Sequence, residues 1–299
     1  MTAIRLSMAA LLWVVSTAYA AAAAPGAAIQ DGFFTTSDAA RIHYLRAGAP
    51  TSRPTLILIP GWTLSADLWQ EQLQKFSDSR LVIAVDSRSQ GKSSRMETGN
   101  TPERRANDLH ELADNLHLHQ LVLVGWSQGA QDVAAYIQQF GTRSVAGVVF
   151  VDSPVSAGVA ELDIRKEFAR AILSGLAVYA AHPDEYAQGV VKSIFKRPHP
   201  DLDMDGIVRS ARNTPPAIGT AMLVSDIFGA DRRPALAKID RPALVIASAQ
   251  SPLLEAQKEM ADAIKGARFV AVENTGHALF VDDPQAFDAE LTTLLGGIG

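Results

Sequence analysis

No cysteine occurs in the 299 residues, which excludes disulfide staples, thiolate nucleophiles and cysteine-ligated metals. Excess positive charge is also missing. With 27 Lys and Arg against 32 Asp and Glu, the formal net charge is -5, so there is no basic footprint for nucleic acid or an anionic lipid surface. Beyond the first two dozen positions no apolar run approaches the ~18 residues of a membrane span. Hydrophobic residues make up 47% and charged residues 20%, enough apolar material for one large core plus an insertion. A globular protein acting on small neutral or apolar molecules fits this balance, with neither membrane nor nucleic acid as partner.

Residues 1–24 are expected to be a secretory signal peptide. Arg5 supplies the positive start, Leu6 to Val15 is apolar but too short to span a bilayer, and Ala18-Tyr19-Ala20 has the small-x-small form of a cleavage site. Cutting is expected after Ala20, with Ala22 and Ala24 nearly as suitable. A buried N-terminal helix fits poorly, because the alanine tract runs to Pro25 with no polar face. The expected destination is the periplasm or the medium.

After the leader the chain alternates strand and helix. Strands are expected at Phe33–Thr36, Arg41–Leu45, Thr55–Ile59, Leu81–Val85, Leu121 onward, Val145–Val151, Pro242–Ala247 and Arg268–Val272. Several are unbroken apolar runs, the mark of strands buried on both faces. Helical spacing follows at Asp67–Phe76, at Pro102–Leu116 behind a Thr101 cap, at Gln131–Phe140, at Leu253–Ile264 and at Pro284–Leu295. The pattern implies an α/β fold: a mostly parallel eight-stranded sheet with helices on both faces. Between Val155 and about Asn213 the alternation stops and apolar residues recur at helical spacing only. The expected organisation is a core at 25–154 and 214–299 with a helical cap at 155–213, inserted after the sixth strand. Phe168, Tyr179 and Phe195 are cap aromatics, expected mainly as packing residues.

Loops at the carboxyl ends of such strands carry the chemistry. Leu121-Val-Leu-Val-Gly125-Trp-Ser127-Gln-Gly129 has the form of a nucleophile elbow. A serine on a sharp strand-to-helix turn needs near-hydrogen side chains two residues before and after it, because the chain reverses onto itself. The turn also leaves the backbone N–H of Gln128 at a helix start, free to bind a developing oxyanion. Taken as an ordinary turn residue, Ser127 would leave both glycines and the flanking strand and helix without a reason.

With these residues in view, the chain resembles the α/β-hydrolase superfamily over nearly all its length after the leader. Within that superfamily Gly-Trp-Ser-Gln-Gly is similar to carboxylesterases, such as the pimeloyl-carrier methyl esterases, and to cofactor-free haloperoxidases that double as esterases or perhydrolases. The resemblance implies that His277, in Asn274-Thr275-Gly276-His277, is the general base, and that Trp62, after Pro60-Gly61, supplies the second oxyanion N–H. It also matches Asp86-Ser-Arg88-Ser89-Gln-Gly91 to a loop of the family in which Asp86 and Arg88 are expected to be structural, as a pair that fixes the loop.

The acid departs from the common pattern. The resemblance places it after the seventh strand, where Ser248-Ala249-Gln250-Ser251-Pro252 offers only Ser251. A neutral residue cannot stabilise the imidazolium. Asp152, at the end of the sixth strand, stands where haloalkane dehalogenases and pancreatic-type lipases carry theirs, and is the expected acid. As a purely structural residue it would cap the turn Ser153-Pro154. Glu255 is a more distant candidate, and a Ser-His dyad with no acid stays open.

A serine nucleophile excludes the aspartate-driven branches of the superfamily and leaves acyl transfer. The expected function is hydrolysis of small carboxylic esters, lactones or thioesters through an acyl-enzyme, with no cofactor and no metal; His110, His117 and His119 lack the spacing that puts two ligands on one helical face. Two further readings stand beside it: a proline iminopeptidase-like amide hydrolase, motivated by Asp201, Asp203 and Asp205, and a ligand-binding protein on a hydrolase scaffold, motivated by Ser251.

Overall fold

The computed structural model describes residues 27–298; the expected leader lies outside them. Eight strands, β1 (Gln30–Thr35), β2 (Arg41–Ala47), β3 (Thr55–Ile59), β4 (Val82–Val85), β5 (Leu121–Trp126), β6 (Val145–Val151), β7 (Ala243–Ser248) and β8 (Arg268–Val272), form one sheet in the order β1-β2-β4-β3-β5-β6-β7-β8. Only the β1–β2 and β2–β4 pairs are antiparallel; from β4 to β8 the strands run parallel. Every residue of β3, β4, β5, β6 and β7 is buried. Their continuous apolar composition follows from having helices on both faces.

The two faces are separate cores, and successive residues alternate between them. Ile57 and Ile59 of β3 face one core, and Leu56 and Leu58 the other. The first face packs on α2 (Pro102–Asn115), α3 (Gln128–Phe140) and α9 (Leu254–Asp262), the second on α1 (Gln70–Ser77), a short α10 (Leu279–Asp282) and α11 (Pro284–Gly296). Thr101 Oγ1 accepts from Arg104 N, and Pro102 takes the first helical turn, so α2 begins as its cap predicts.

Between β6 and β7 lie α4 (Glu161–Ile164), α5 (Lys166–Ala181), α6 (Pro183–Ser193), α7 (Met204–Ala211) and α8 (Pro216–Phe228). A buried ion cluster ties α8 to the core. Arg105 of α2 contacts Asp132 of α3 at 2.8 Å and Asp226 of α8 at 2.5 Å. No helix among the described residues is long and apolar enough to cross a membrane.

The pairing expected between Asp86 and Arg88 is corrected. Arg88 makes a bidentate contact with Asp108 of α2, 2.7 Å on each arm, and reaches Asp38 at 3.0 Å. Asp86 instead accepts from the backbone N–H groups of Ala66 and Lys92, each at 2.7 Å, and contacts His43 Nδ1 at 2.7 Å. Close in sequence, the two side chains find partners on different elements. Both still fix the loop.

Candidate active site

Ser127 closes β5 and opens α3 with φ 55° and ψ -114°, a strained backbone for a residue with a side chain. The flanking glycines make it feasible. A methyl group at Gly125 would lie 2.3 Å from the carbonyl oxygen of Gly129, and one at Gly129 would lie 2.8 Å from that of Ile59. The hydroxyl of Ser127 does not cap α3, so it is not occupied in the way an ordinary helix-start serine would be. Helix α3 begins directly at Gln128, three residues before the expected start, and the N–H of Gln128 is thus a first-turn group with no intrahelical acceptor.

Sheet register brings the carboxylate beside this turn. Trp126 of β5 pairs with Val151 of β6, so Ser127 and Asp152 are the next residues on adjacent parallel strands. The backbone N–H of Ser127 donates to Val151 O at 3.0 Å, and that of Asp152 to Ile246 O at 2.9 Å. Asp152 also has positive φ, 46°. Its Oδ2 lies 2.7 Å from His277 Nδ1. The other oxygen, Oδ1, accepts from the backbone N–H of Ser248 at 3.0 Å and from Gln257 Nε2 at 3.2 Å. Asp152 is buried, whereas the His277 side chain is 34% exposed. With Nδ1 engaged by the carboxylate, Nε2 is the ring nitrogen left to exchange a proton.

Ser251 sits on the rim of the same network. Its Oγ accepts from Gln257 Nε2 at 3.1 Å, and that amide is the one that reaches Asp152. The carboxylate therefore stands at the end of β6, while Ser248, the last residue of β7, and Gln257 of α9 supply two of its hydrogen bonds.

The histidine loop is held from two sides. Trp126, buried beside the elbow serine, donates its indole N–H to His277 O at 2.8 Å. Buried Asp282 of α10 accepts from the N–H of Gly276 at 2.6 Å, from that of Lys196 at 2.9 Å, and contacts His199 Nε2 at 2.8 Å. Ala278 N donates to Ile194 O at 2.8 Å. A side chain at Gly276 would meet that same carbonyl at 2.7 Å, which explains the glycine before the histidine. The segment after α6 is thus clamped onto the loop.

Trp62 lies across the turn from Ser127. A methyl group at Gly61 would be 3.3 Å from Ser127 Cβ, so the two loops touch. Among the described residues, neither the N–H of Trp62 nor that of Gln128 donates to a protein acceptor. The indole of Trp62 donates to Gly219 O of α8 at 2.8 Å and packs edge-on against Tyr179 of α5, ring centres 5.1 Å apart, and Tyr186 of α6, 6.2 Å apart. Tyr179, expected as a packing aromatic, is buried in this cluster.

With this geometry in place, comparison with known proteins is informative. Residues 56–290 match the model of the alpha/beta hydrolase family. The chain belongs to that family. The chain is 36% identical to a non-heme chloroperoxidase of Streptomyces lividans over 123 residues, 41% of this chain and 44% of that protein. It is 31% identical to a bifunctional esterase/perhydrolase of Acinetobacter calcoaceticus over the same shares. Both matches thus span less than half the length of the relative. In three dimensions it is similar to a bromoperoxidase from Bacillus anthracis, with a TM-score of 0.78, 24% identity and coverage of 89% of this chain and 100% of that one.

Four residues of this alpha/beta hydrolase support the site without a sequence signal of their own: Gln90, Trp126, Gln257 and Asp282. Each is buried, and each acts on groups far away in the chain. Trp126 and Asp282 lie inside motifs that the sequence does display, the elbow and the segment after His277. Gln90 and Gln257 offer less, a single amide in an otherwise ordinary loop or helix. The acids Asp201, Asp203 and Asp205 are exposed; Asp203 caps α7 through Gly206 N and pairs with Arg209.

Proposed function

We propose that this protein is a serine hydrolase that cleaves small carboxylic esters, lactones or thioesters through an acyl-enzyme. The observation that carries the reading is the 2.7 Å contact between His277 Nδ1 and Asp152 Oδ2 beside the strained turn of Ser127. Ser127 Oγ attacks the carbonyl carbon and His277 takes its proton at Nε2. Asp152 holds the imidazole and stabilises the imidazolium. The N–H groups of Trp62 and Gln128 bind the oxyanion of the tetrahedral intermediate. Collapse breaks the ester C–O bond as His277 returns the proton to the leaving alkoxide; water, activated by the same base, then releases the acid. The esterase/perhydrolase relative favours an ester over an amide. The acids Asp201, Asp203 and Asp205, which motivated an amine-recognising reading, are solvated or used locally.

Export belongs to the same proposal: the leader expected at residues 1–24 would place the enzyme in the periplasm or medium, which N-terminal sequencing of the protein recovered from those fractions tests. The function is tested with a fluorophosphonate probe and p-nitrophenyl butyrate. Stoichiometric labelling at Ser127 with ester turnover, both lost in Ser127→Ala, is the expected result. Folded wild type that neither labels nor turns over would support a binding protein instead.

A further inference from the structure

Gln90 is fully buried in the loop after β4, and every polar atom of its side chain is used. Oε1 accepts from the backbone N–H of Thr63 at 2.9 Å and from Gln128 Nε2 at 3.1 Å. Nε2 donates to Gly61 O at 3.2 Å and to Leu64 O at 3.0 Å. Backbone partners leave no ambiguity about which end is oxygen: an N–H needs the acceptor and two carbonyls need the donor. One amide therefore grips the residues on both sides of Trp62 and, from the same oxygen, the side chain of the elbow residue Gln128.

The arrangement answers a specific need. The two N–H groups proposed to bind the oxyanion come from different loops, one after β3 and one after β5, and no backbone hydrogen bond joins Trp62 to Gln128 among the described residues. Thr63 adds strain to that loop, with φ 61°, a conformation that a residue with a side chain holds only when its surroundings impose it. The hydrogen bond from Thr63 N to Gln90 is one such imposition. Stabilisation of a tetrahedral oxyanion depends on donors fixed beforehand at the right separation, and misplacement by about 1 Å costs on the order of a hundredfold in rate.

We propose that Gln90 is the positioning residue of the oxyanion hole: its carboxamide ties the Trp62 loop to the Gln128 turn and sets the separation of the two backbone N–H groups. The inference rests on the acyl-transfer reading above. Gln90 touches no substrate atom; it acts through Gly61, Thr63, Leu64 and Gln128.

The test uses the full-length enzyme with p-nitrophenyl butyrate, active sites titrated by fluorophosphonate, and two inhibitors of one shape. A trifluoromethyl ketone forms a hemiketal oxyanion on the serine, while the matching methyl ketone reports ground-state binding. In Gln90→Met, of similar volume but without the amide, kcat per titrated site is expected to fall about 30- to 100-fold with KM within about threefold. The trifluoromethyl ketone should lose affinity by a similar factor and the methyl ketone should not. A merely structural residue would lower the titratable fraction or the melting temperature and leave per-site kcat and both affinities alone; that result overturns the proposal. Should Gln90→Met fail to fold, Gln128→Met decides. It cuts only the elbow end of the tie and keeps the Gln128 N–H, and a loss of about 5- to 10-fold with the same inhibitor pattern is expected, against no change if the proposal is wrong. Absence of titration in wild type would instead defeat the ester-hydrolase reading itself.

Discussion

Gln257 Nε2 lies 3.2 Å from Asp152 Oδ1 and 3.1 Å from Ser251 Oγ, so one buried amide links the carboxylate at the end of β6 to the serine that stands where the family's acid is commonly found. The loop after β7 thus joins the hydrogen-bond network of Asp152 through Ser251. Register explains how a residue on β6 can take over: β6 lies between β5 and β7, and Asp152 follows directly on the Val151 that pairs with both Trp126 and Ile246. From there the side chain reaches the histidine loop, while the backbone of the strand runs beside the serine turn.

Asp152→Asn is expected to lower kcat by about a thousand- to ten-thousandfold, because the amide cannot stabilise the imidazolium or select the right tautomer. Ser251→Ala loses only a neutral acceptor for Gln257 and the Leu253 N–H and should keep kcat within about threefold. Steady-state hydrolysis of p-nitrophenyl butyrate measures both. Near-normal turnover in the Asp152 variant would move the acid elsewhere, with Glu255 the next carboxylate to substitute.

His277→Gln should remove the pre-steady-state burst of p-nitrophenol. The variant keeps a polar side chain on the loop held by Trp126 and Asp282, so its melting temperature is expected to stay within a few degrees of wild type. A persisting burst of full amplitude would mean that another group accepts the serine proton.

The tight turn can be tested through stability alone. A methyl group at Gly125 would sit 2.3 Å from backbone oxygen, whereas at Gly189 in α6 it meets nothing within 4 Å. Gly125→Ala is expected to destabilise by about 3 kcal/mol or more. Gly189→Ala should stabilise by about 0.5–1 kcal/mol, as alanine does in an open helix position. Urea titrations give both values; a Gly125→Ala protein as stable as wild type would contradict the close approach at the elbow.

Two buried carboxylates, Asp132 and Asp226, share the single guanidinium of Arg105, and burial pushes the Asp226 carboxyl up to about 7. The folded protein therefore holds this proton more tightly than an unfolded chain, whose aspartates titrate near ~3.9. Stability from this site is highest at low pH and falls as pH rises from about 4 to about 7. Asp226→Asn removes this carboxyl's own titration and leaves Asp132, which burial also pushes up, beside Arg105. Its melting temperature relative to wild type should rise across that window, by on the order of 5 °C at the upper end. A difference that stays constant with pH would show that Asp226 does not titrate there.

The strands themselves and the elbow were legible in the sequence because both depend on neighbours in the chain. The apolar runs of β3, β5, β6 and β7 announce burial on two faces, and Gly125 and Gly129 announce a turn too tight for side chains. Less legible was the loop from Asp86 to Ser94. The resemblance suggested a local Asp86–Arg88 pair, yet Arg88 found its partner on α2, and Asp86 found His43 and the backbone N–H groups of Ala66 and, within the loop, Lys92. Gln90, two residues on, carries no pattern that separates it from a surface glutamine; its burial is a property of the loops around it.

Read alone, the chain determined the α/β alternation, the strained serine turn and the glycine-histidine loop, since backbone geometry of that kind is set by side chains within a few residues. It pointed to Asp152 as the expected acid, with Glu255 and an acid-free dyad left open, and could place none of them in space. Which of them meets His277, 125 residues away in sequence, was decided by strand order and register, and so were the amides of Gln90 and Gln257 that brace the site. Hydrogen bonds a few ångströms long between remote segments exist only once the sheet has placed their loops together.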